Sequence, residues 1–158
     1  MCKSCVKLAG GASLAMLALL AVAGPAGAGG EEAFVDYYAS ASSLINALNA
    51  VAADLERLPL TTGDFSEDVA AEMKAQLVKA REGFASLLTY DDRTNELNEG
   101  YLLYLDKMLL ALMVAGEYRE AGGAERRDRV ARLVAESTEL RAELNRRIQS
   151  DKKKYGLD

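Results

Sequence analysis

The sequence predicts an all-α fold: a four-helix up-down-up-down antiparallel bundle preceded by a signal peptide. Residues 29–158 contain 38 leucines and alanines but only 9 valines and isoleucines, and alanine and straight-chain residues favour helices over strands. Apolar residues recur at steps of three and four along most of this region, which is the period of a helix with one buried face. Pro59 is the one proline after residue 28, so little interrupts long helices.

Four helices follow from these apolar stripes and from the residues that punctuate them. Pro59 ends the first helix, because proline disfavours helical geometry in the residue before it. A capping box opens the second, with Asp64 or Ser66 as the N-cap, and Gly122 and Gly123 end the third. Connections of about four to seven residues favour antiparallel neighbours with coiled-coil-type packing. The predicted helices cover residues 32–58, 66–89, 95–119 and 124–154.

The first 28 residues have the pattern of a secretory signal peptide. Two lysines precede an apolar run over residues 8–23, and Pro25 then precedes the small residues 26–28. A charged start, an apolar run, a helix breaker and an A-x-A site predict export, with cleavage after Ala28. The run is shorter than the about 20 residues that span a bilayer. We therefore expect a periplasmic or secreted protein with no stable membrane span in the mature chain, and an uncleaved N-terminal anchor is the alternative.

The chain lacks the residues on which most catalytic and metal sites depend. It contains no histidine, and its two cysteines, Cys2 and Cys5, lie in the predicted signal peptide. Ser-His-Asp triads, histidine-ligated haem and thiolate or histidine zinc sites therefore cannot form in a mature single chain. An acidic cluster around Asp91 and Asp92 lacks the calcium-loop pattern. We expect a protein that is not an enzyme and that has no cofactor and no metal, and carboxylate-only catalysis stays open without a motif that points to it.

Charge is unevenly distributed along the predicted mature chain. Residues 29–123 hold 7 lysines and arginines against 17 aspartates and glutamates, a net charge of −10, whereas residues 124–158 hold 10 against 7, a net charge of +3. The mature total of −7 argues against nucleic acid as a partner.

The third predicted helix has apolar residues on two sides. Leu103, Leu110 and Val114 lie opposite its main apolar stripe, and Asp106 and Lys107 lie beside them. One explanation is that flanking helices and long side-chain stems cover these residues. The other is a contact surface for a partner helix or a second copy, with the two charged residues setting its register. The second explanation makes all three apolar side chains exposed.

Tyrosines in the first and third helices offer a different kind of site. Tyr37, Tyr38, Tyr101 and Tyr104 fall on apolar faces near helix ends. They either pack in the core with their hydroxyls towards its rim or line a pocket between helices, which would need an enclosed cavity of about 300 Å³ or more.

These observations favour one function over a second. The first is an exported, non-catalytic helical bundle that acts through protein–protein contact, as an envelope or secreted subunit or scaffold, with a protein partner or as a homo-oligomer. The alternative is a small-ligand-binding or sensor-type bundle with an inter-helix pocket.

Overall fold

The structure, a computed structural model, describes residues 29–157 except the side chains of residues 56 and 57. Within that range it contains four α-helices and no strand, which confirms the all-α prediction. No helix among these residues is long and apolar enough to span a membrane. The predicted signal peptide and its cleavage site lie outside the described residues. The helices are α1 Gly30–Arg57, α2 Glu67–Ala85, α3 Asp92–Ala121 and α4 Ala124–Tyr155.

Helix α3 packs against α1, α2 and α4, and its contacts with α4 and α2 are the most extensive in the bundle. Its interior side carries large buried residues such as Leu97, Tyr101 and Leu105. Burying a large apolar side chain contributes about 1.5–3 kcal/mol, so this shared core holds the four helices together. The largest fully buried side chains come from all four helices: Phe34, Tyr37, Leu48, Leu55, Leu77, Phe84, Leu97, Tyr101, Leu105, Val114, Val130 and Leu144.

Side-chain caps set where α2 and α3 begin. The hydroxyl of Ser66 accepts a hydrogen bond from the Val69 amide at 3.2 Å, so Ser66 rather than Asp64 is the N-cap of α2. Asp91 caps α3 by accepting from the Thr94 amide at 2.7 Å, and the Thr94 hydroxyl in turn accepts from the Asp91 amide. This reciprocal box extends α3 three residues before the predicted start at 95.

Helix α2 ends at Ala85, and the predicted end at residue 89 is wrong. The helical period continues through the next two leucines, but Leu88 is 71% exposed and contributes little to the core. Residues 86–90 leave the helix so that the chain can reach the α3 cap, where the Tyr90 amide donates to the Thr94 hydroxyl at 3.0 Å. The side-chain amide of Asn98 donates to the Phe84 carbonyl at 3.1 Å, which satisfies one carbonyl of the last turn of α2.

The ends of several helices meet at one place in the bundle. The Arg93 guanidinium at the start of α3 pairs with the Asp151 carboxylate near the end of α4 and donates to the Tyr155 hydroxyl at 3.3 Å. Phe34 of α1 packs its ring 5.5 Å from the ring of Tyr155. The first turns of α1 and α3 therefore lie beside the last turn of α4.

Candidate functional site: an apolar groove between α2 and α3

A surface groove of about 550 Å³ separates parts of α2 and α3. We call it the α2–α3 groove. Its lining is mostly apolar, with one acidic and one basic side chain. The residues that line it are Glu67, Ala70, Ala71, Lys74 and Val78 of α2, and Leu109, Leu110, Leu112, Met113 and Gly116 of α3.

Large apolar side chains are exposed in and beside this groove. Within the groove, Met113 is 57% exposed and Val78 is 36% exposed, while Leu103, about two turns before Leu110 on α3, is 50% exposed. Single exposed apolar residues are ordinary on protein surfaces, but a contiguous group marks an interaction site more often. The groove is therefore the candidate binding surface of the bundle.

Small residues explain why the groove is open. Ala70 and Ala71 on the α2 wall and Gly116 on the α3 wall supply little or no side chain to fill the space. A Cβ atom built on Gly116 would meet nothing within 4 Å. At one end the groove is bounded by an ion pair in which Arg81 Nε lies 2.6 Å from Asp106 Oδ1.

The other end of the groove is acidic. Here the loop before α2 lies against the last turn of α3: the Arg119 guanidinium donates to the Phe65 carbonyl at 3.4 Å and lies 5.4 Å from the Phe65 ring. Glu67 lines the groove at this end, Glu117 directly follows a lining residue, and Glu120 lies one turn further on; all three are exposed. We call these three glutamates the acidic end. Among the described residues, none of their carboxylates has a hydrogen bond or ion pair.

The residues predicted as a partner surface divide into two groups. Leu103 is half-exposed, and Leu110 is partly buried and lines the groove. Val114 is only 1% exposed, so it is covered, as the first explanation expects, and is not part of an exposed contact surface. The reason is that α4 packs along α3 on the side of Lys107, and Val114 lies two turns further along that side.

Asp106 and Lys107 form ion pairs with other helices of the same chain. They do not lie together beside a contact surface, contrary to the prediction. Asp106 faces α2 through Arg81, whereas Lys107 Nζ lies 2.6 Å from Glu136 Oε2 of α4. The hydrogen bond from Lys107 lowers the pKa of the Glu136 carboxyl below its usual value. The two neighbouring charges thus tie α3 to different helices, because consecutive helical residues point about 100° apart.

The predicted tyrosine site is part of the core. Tyr37, Tyr101 and Tyr104 are buried and Tyr38 is half-buried, and none of the four lines the α2–α3 groove. The Tyr101 ring stacks on Phe84 at 4.8 Å.

Within this tyrosine cluster, the hydroxyls of Tyr37 and Tyr101 are buried and have no hydrogen-bond partner among the described residues. Burial raises the pKa of both phenols well above the usual 10, and their proximity to another tyrosine adds to the shift.

Sequence reasoning missed the ion pair between Arg93 and Asp151. Its partners lie 58 residues apart, so no local pattern signals it. Arg93 Nε donates to Asp151 Oδ2 at 2.8 Å, and the Asp151 side chain is only 2% exposed. Charges this deeply buried occur almost only in pairs, which makes the pair a structural tie between α3 and α4.

Comparisons with known proteins leave the geometry as the basis for a functional proposal. A scan against protein families, a search of curated proteins and a search of solved structures each find no match to this chain. The part of the chain that the structure describes also holds no group of three or more potential ligands placed to bind a metal ion.

Proposed function

We propose that this protein is an exported, non-catalytic helical bundle that binds a helical segment of a partner protein in the α2–α3 groove. It would act as a subunit or scaffold of the cell envelope or of the extracellular space. The observation that carries the proposal is the open apolar groove, in which Val78, Leu110 and Met113 reach solvent at least in part.

The proposal includes an up-down-up-down antiparallel order of the four helices. Contacts support this order at three places. Arg93 at the start of α3 pairs with Asp151 near the end of α4, Asn98 near the start of α3 bonds to Phe84 near the end of α2, and the loop before α2 lies against Arg119 at the end of α3. Short connections between consecutive helices are typical of such bundles.

The dimensions of the groove suit a helix of two to three turns. On α2 the lining runs from Glu67 to Val78, eleven residues apart, or about 16 Å at 1.5 Å per residue. An amphipathic helix binds such a groove through large apolar residues at positions i, i+3 or i+4, and i+7. A helical partner would therefore cover the apolar walls along their whole length.

Export and the lack of catalysis rest on sequence features. The first 28 residues combine lysines, an apolar run and an A-x-A site, which support secretion. The chain has no histidine, and both cysteines lie in that leader, which removes the usual general bases and thiol nucleophiles from the mature protein.

Site-specific photo-crosslinking in the producing cells tests this function. A photoreactive amino acid at position 113 would lie in the groove, and the same group at Ala142, an exposed position of α4, is the matched control. We expect position 113 alone to give an adduct, and mass spectrometry should map it to an apolar helical segment of another protein. Equal adducts at both positions, or none at 113, would contradict the proposal.

A small apolar ligand is the second candidate for the same groove. The volume of about 550 Å³ lies within the range of about 300–1,000 Å³ that is usual for ligand sites. Native mass spectrometry of protein purified from its producer distinguishes the two candidates, because a bound small molecule adds a fixed small mass that disappears in a Met113→Gln variant. A partner helix adds the mass of a polypeptide.

A further inference from the structure

We infer that the helix bound in the α2–α3 groove carries a cluster of lysines or arginines at one end, and that this end lies at the acidic end of the groove. The inference rests on the proposed function and adds the charge and the direction of the bound helix.

The acidic end presents negative charge that the protein itself does not neutralise. Glu67 on the α2 wall, and Glu117 and Glu120 at the end of α3, are exposed and form no ion pair among the described residues. Arg119 is already engaged with the carbonyl and ring of Phe65. Arg126 and Arg129 share a separate surface pocket with Glu117, so the inference depends on Glu67 and Glu120. A partner that brings cations here gains attraction and faster encounter, and residues 29–123 as a whole carry a net charge of −10.

The opposite end of the groove does not attract cations in this way, so the basic end of the bound helix should lie at the acidic end. Arg81 and Asp106 neutralise each other there at 2.6 Å. Lys74 is the one cation in the lining, and it lies between the two ends on the α2 wall. Basic residues in the last turn of the bound helix complement its own dipole. When they occupy that turn, their attraction to the glutamates places the C-terminus of the helix at the acidic end.

The apolar walls of the groove determine which residues the bound helix needs on its contacting face. Val78 lies on the α2 wall, and Leu110 and Met113 lie on the α3 wall. Three large apolar side chains on one face of the partner, spaced i, i+4 and i+7, would contact these residues over about two turns. The partner is thus a basic amphipathic helix.

Two synthetic helices test the charge of the bound helix. Both are fluorescein-labelled peptides of about 16 residues with leucines at i, i+4 and i+7; one has three lysines in its last turn and the other has three glutamates. We expect the lysine peptide to bind residues 29–158 about tenfold more tightly at low ionic strength in a fluorescence anisotropy titration. The difference should shrink as salt rises, since exposed charges are screened.

Charge reversal on the protein gives the decisive comparison. Glu67→Lys with Glu120→Lys should invert the preference between the two peptides. The matched control is Glu31→Lys with Glu139→Lys, which makes the same change in charge on α1 and α4 and likewise alters one residue in a helical first turn. The control should leave the preference for the lysine peptide intact. An unchanged preference in the first variant, or inversion in both, would overturn the inference.

A charge-neutral variant separates this inference from the proposed function. Val78→Gln with Met113→Gln should abolish binding of both peptides while circular dichroism and thermal unfolding remain close to those of the parent. If both peptides bind equally well, and both are lost in this variant, the groove binds helices but the charge inference is wrong. If binding survives in this variant, or if neither peptide binds the parent protein, the inference and the proposed groove fail together.

Discussion

The two interfaces that α3 forms with its chain neighbours differ in kind. The α3–α4 interface carries ion pairs spaced along its length, Arg93–Asp151, Glu96–Arg147 and Lys107–Glu136, and it is tightly packed. The α2–α3 interface has one ion pair between described residues, Arg81–Asp106, and opens into the apolar groove. One helix thus has a closed interface on one side and a partly unfilled one on the other.

Packing explains the small residues at the closed interface but not those at the open one. At the closed interface, Gly100 lets α4 approach so closely that the site of a missing Cβ lies 2.5 Å from Leu144 Cδ2. At the open interface, Gly116 faces empty space, and Met113 is left exposed. Departures from good packing concentrate at functional sites, so the open interface is where we place binding.

Breaking an ion pair at each interface should give the largest contrast. Arg93→Met leaves the Asp151 carboxylate, which is 2% exposed, without its partner, and we expect a loss of about 3 kcal/mol of unfolding free energy. Arg81→Met removes one member of a pair in which both side chains are about half exposed, so the urea midpoint should hardly move. Equal losses in the two variants would show that the interfaces do not differ as described.

Alanine at two glycines of α3 should give a smaller contrast with opposite signs. Gly100→Ala adds a Cβ that clashes with the buried Leu144, and overpacking should outweigh the gain in helix propensity, for a net loss of about 1–2 kcal/mol. Gly116→Ala meets no atom within 4 Å and should stabilise α3 by about 0.5–1 kcal/mol. Thermal melts of both variants check the signs, and stabilisation by Gly100→Ala would refute the tight packing of α3 against α4.

The buried tyrosines give the smallest expected effect, at the contact between α1 and α3. Tyr37→Phe and Tyr101→Phe each remove a buried hydroxyl without a partner among the described residues, and each should be neutral or stabilising by up to about 1 kcal/mol. The raised pKa of both phenols also predicts a pH dependence. Unfolded tyrosines ionise near pH 10 while the buried ones stay neutral, so stability is constant below that pH and falls as pH rises above it.

The double phenylalanine variant is the control for this alkaline loss. Urea unfolding at pH 8 and at about pH 10.5 should show a smaller decrease for the variant than for the parent. An equal decrease would mean that other groups cause the alkaline sensitivity.

Helical periodicity predicted the element type well because it depends on local spacing. It correctly predicted residues on the buried face of α1, such as Leu48. It failed where neighbours decide the outcome: Val114 lies on the outer side of α3 by spacing, yet α4 covers that side. It also placed the end of α2 too late, beyond Leu88, because spacing alone cannot show that the chain must turn towards the Asp91 cap.

The candidate site was predicted only in part. Leu110 was identified as a contact residue and lines the groove. The α2 wall was missed, since Ala70 and Ala71 look like ordinary helix formers in the sequence, and their effect is the space that they leave unfilled. The pair of Arg93 and Asp151 was missed because it depends on the tertiary approach of two residues far apart in the chain.

We place the binding surface of this protein at the open α2–α3 interface. An amide chemical-shift titration of ¹⁵N-labelled residues 29–158 with the lysine-ended peptide tests it most directly. We predict shifts confined to residues 67–78 and 103–120, saturating with one peptide per chain, and little change along α4 after residue 130. Shifts centred on Tyr37 and Tyr101, shifts along α4 instead of α2, or no shifts at all would show that binding does not occur at this interface.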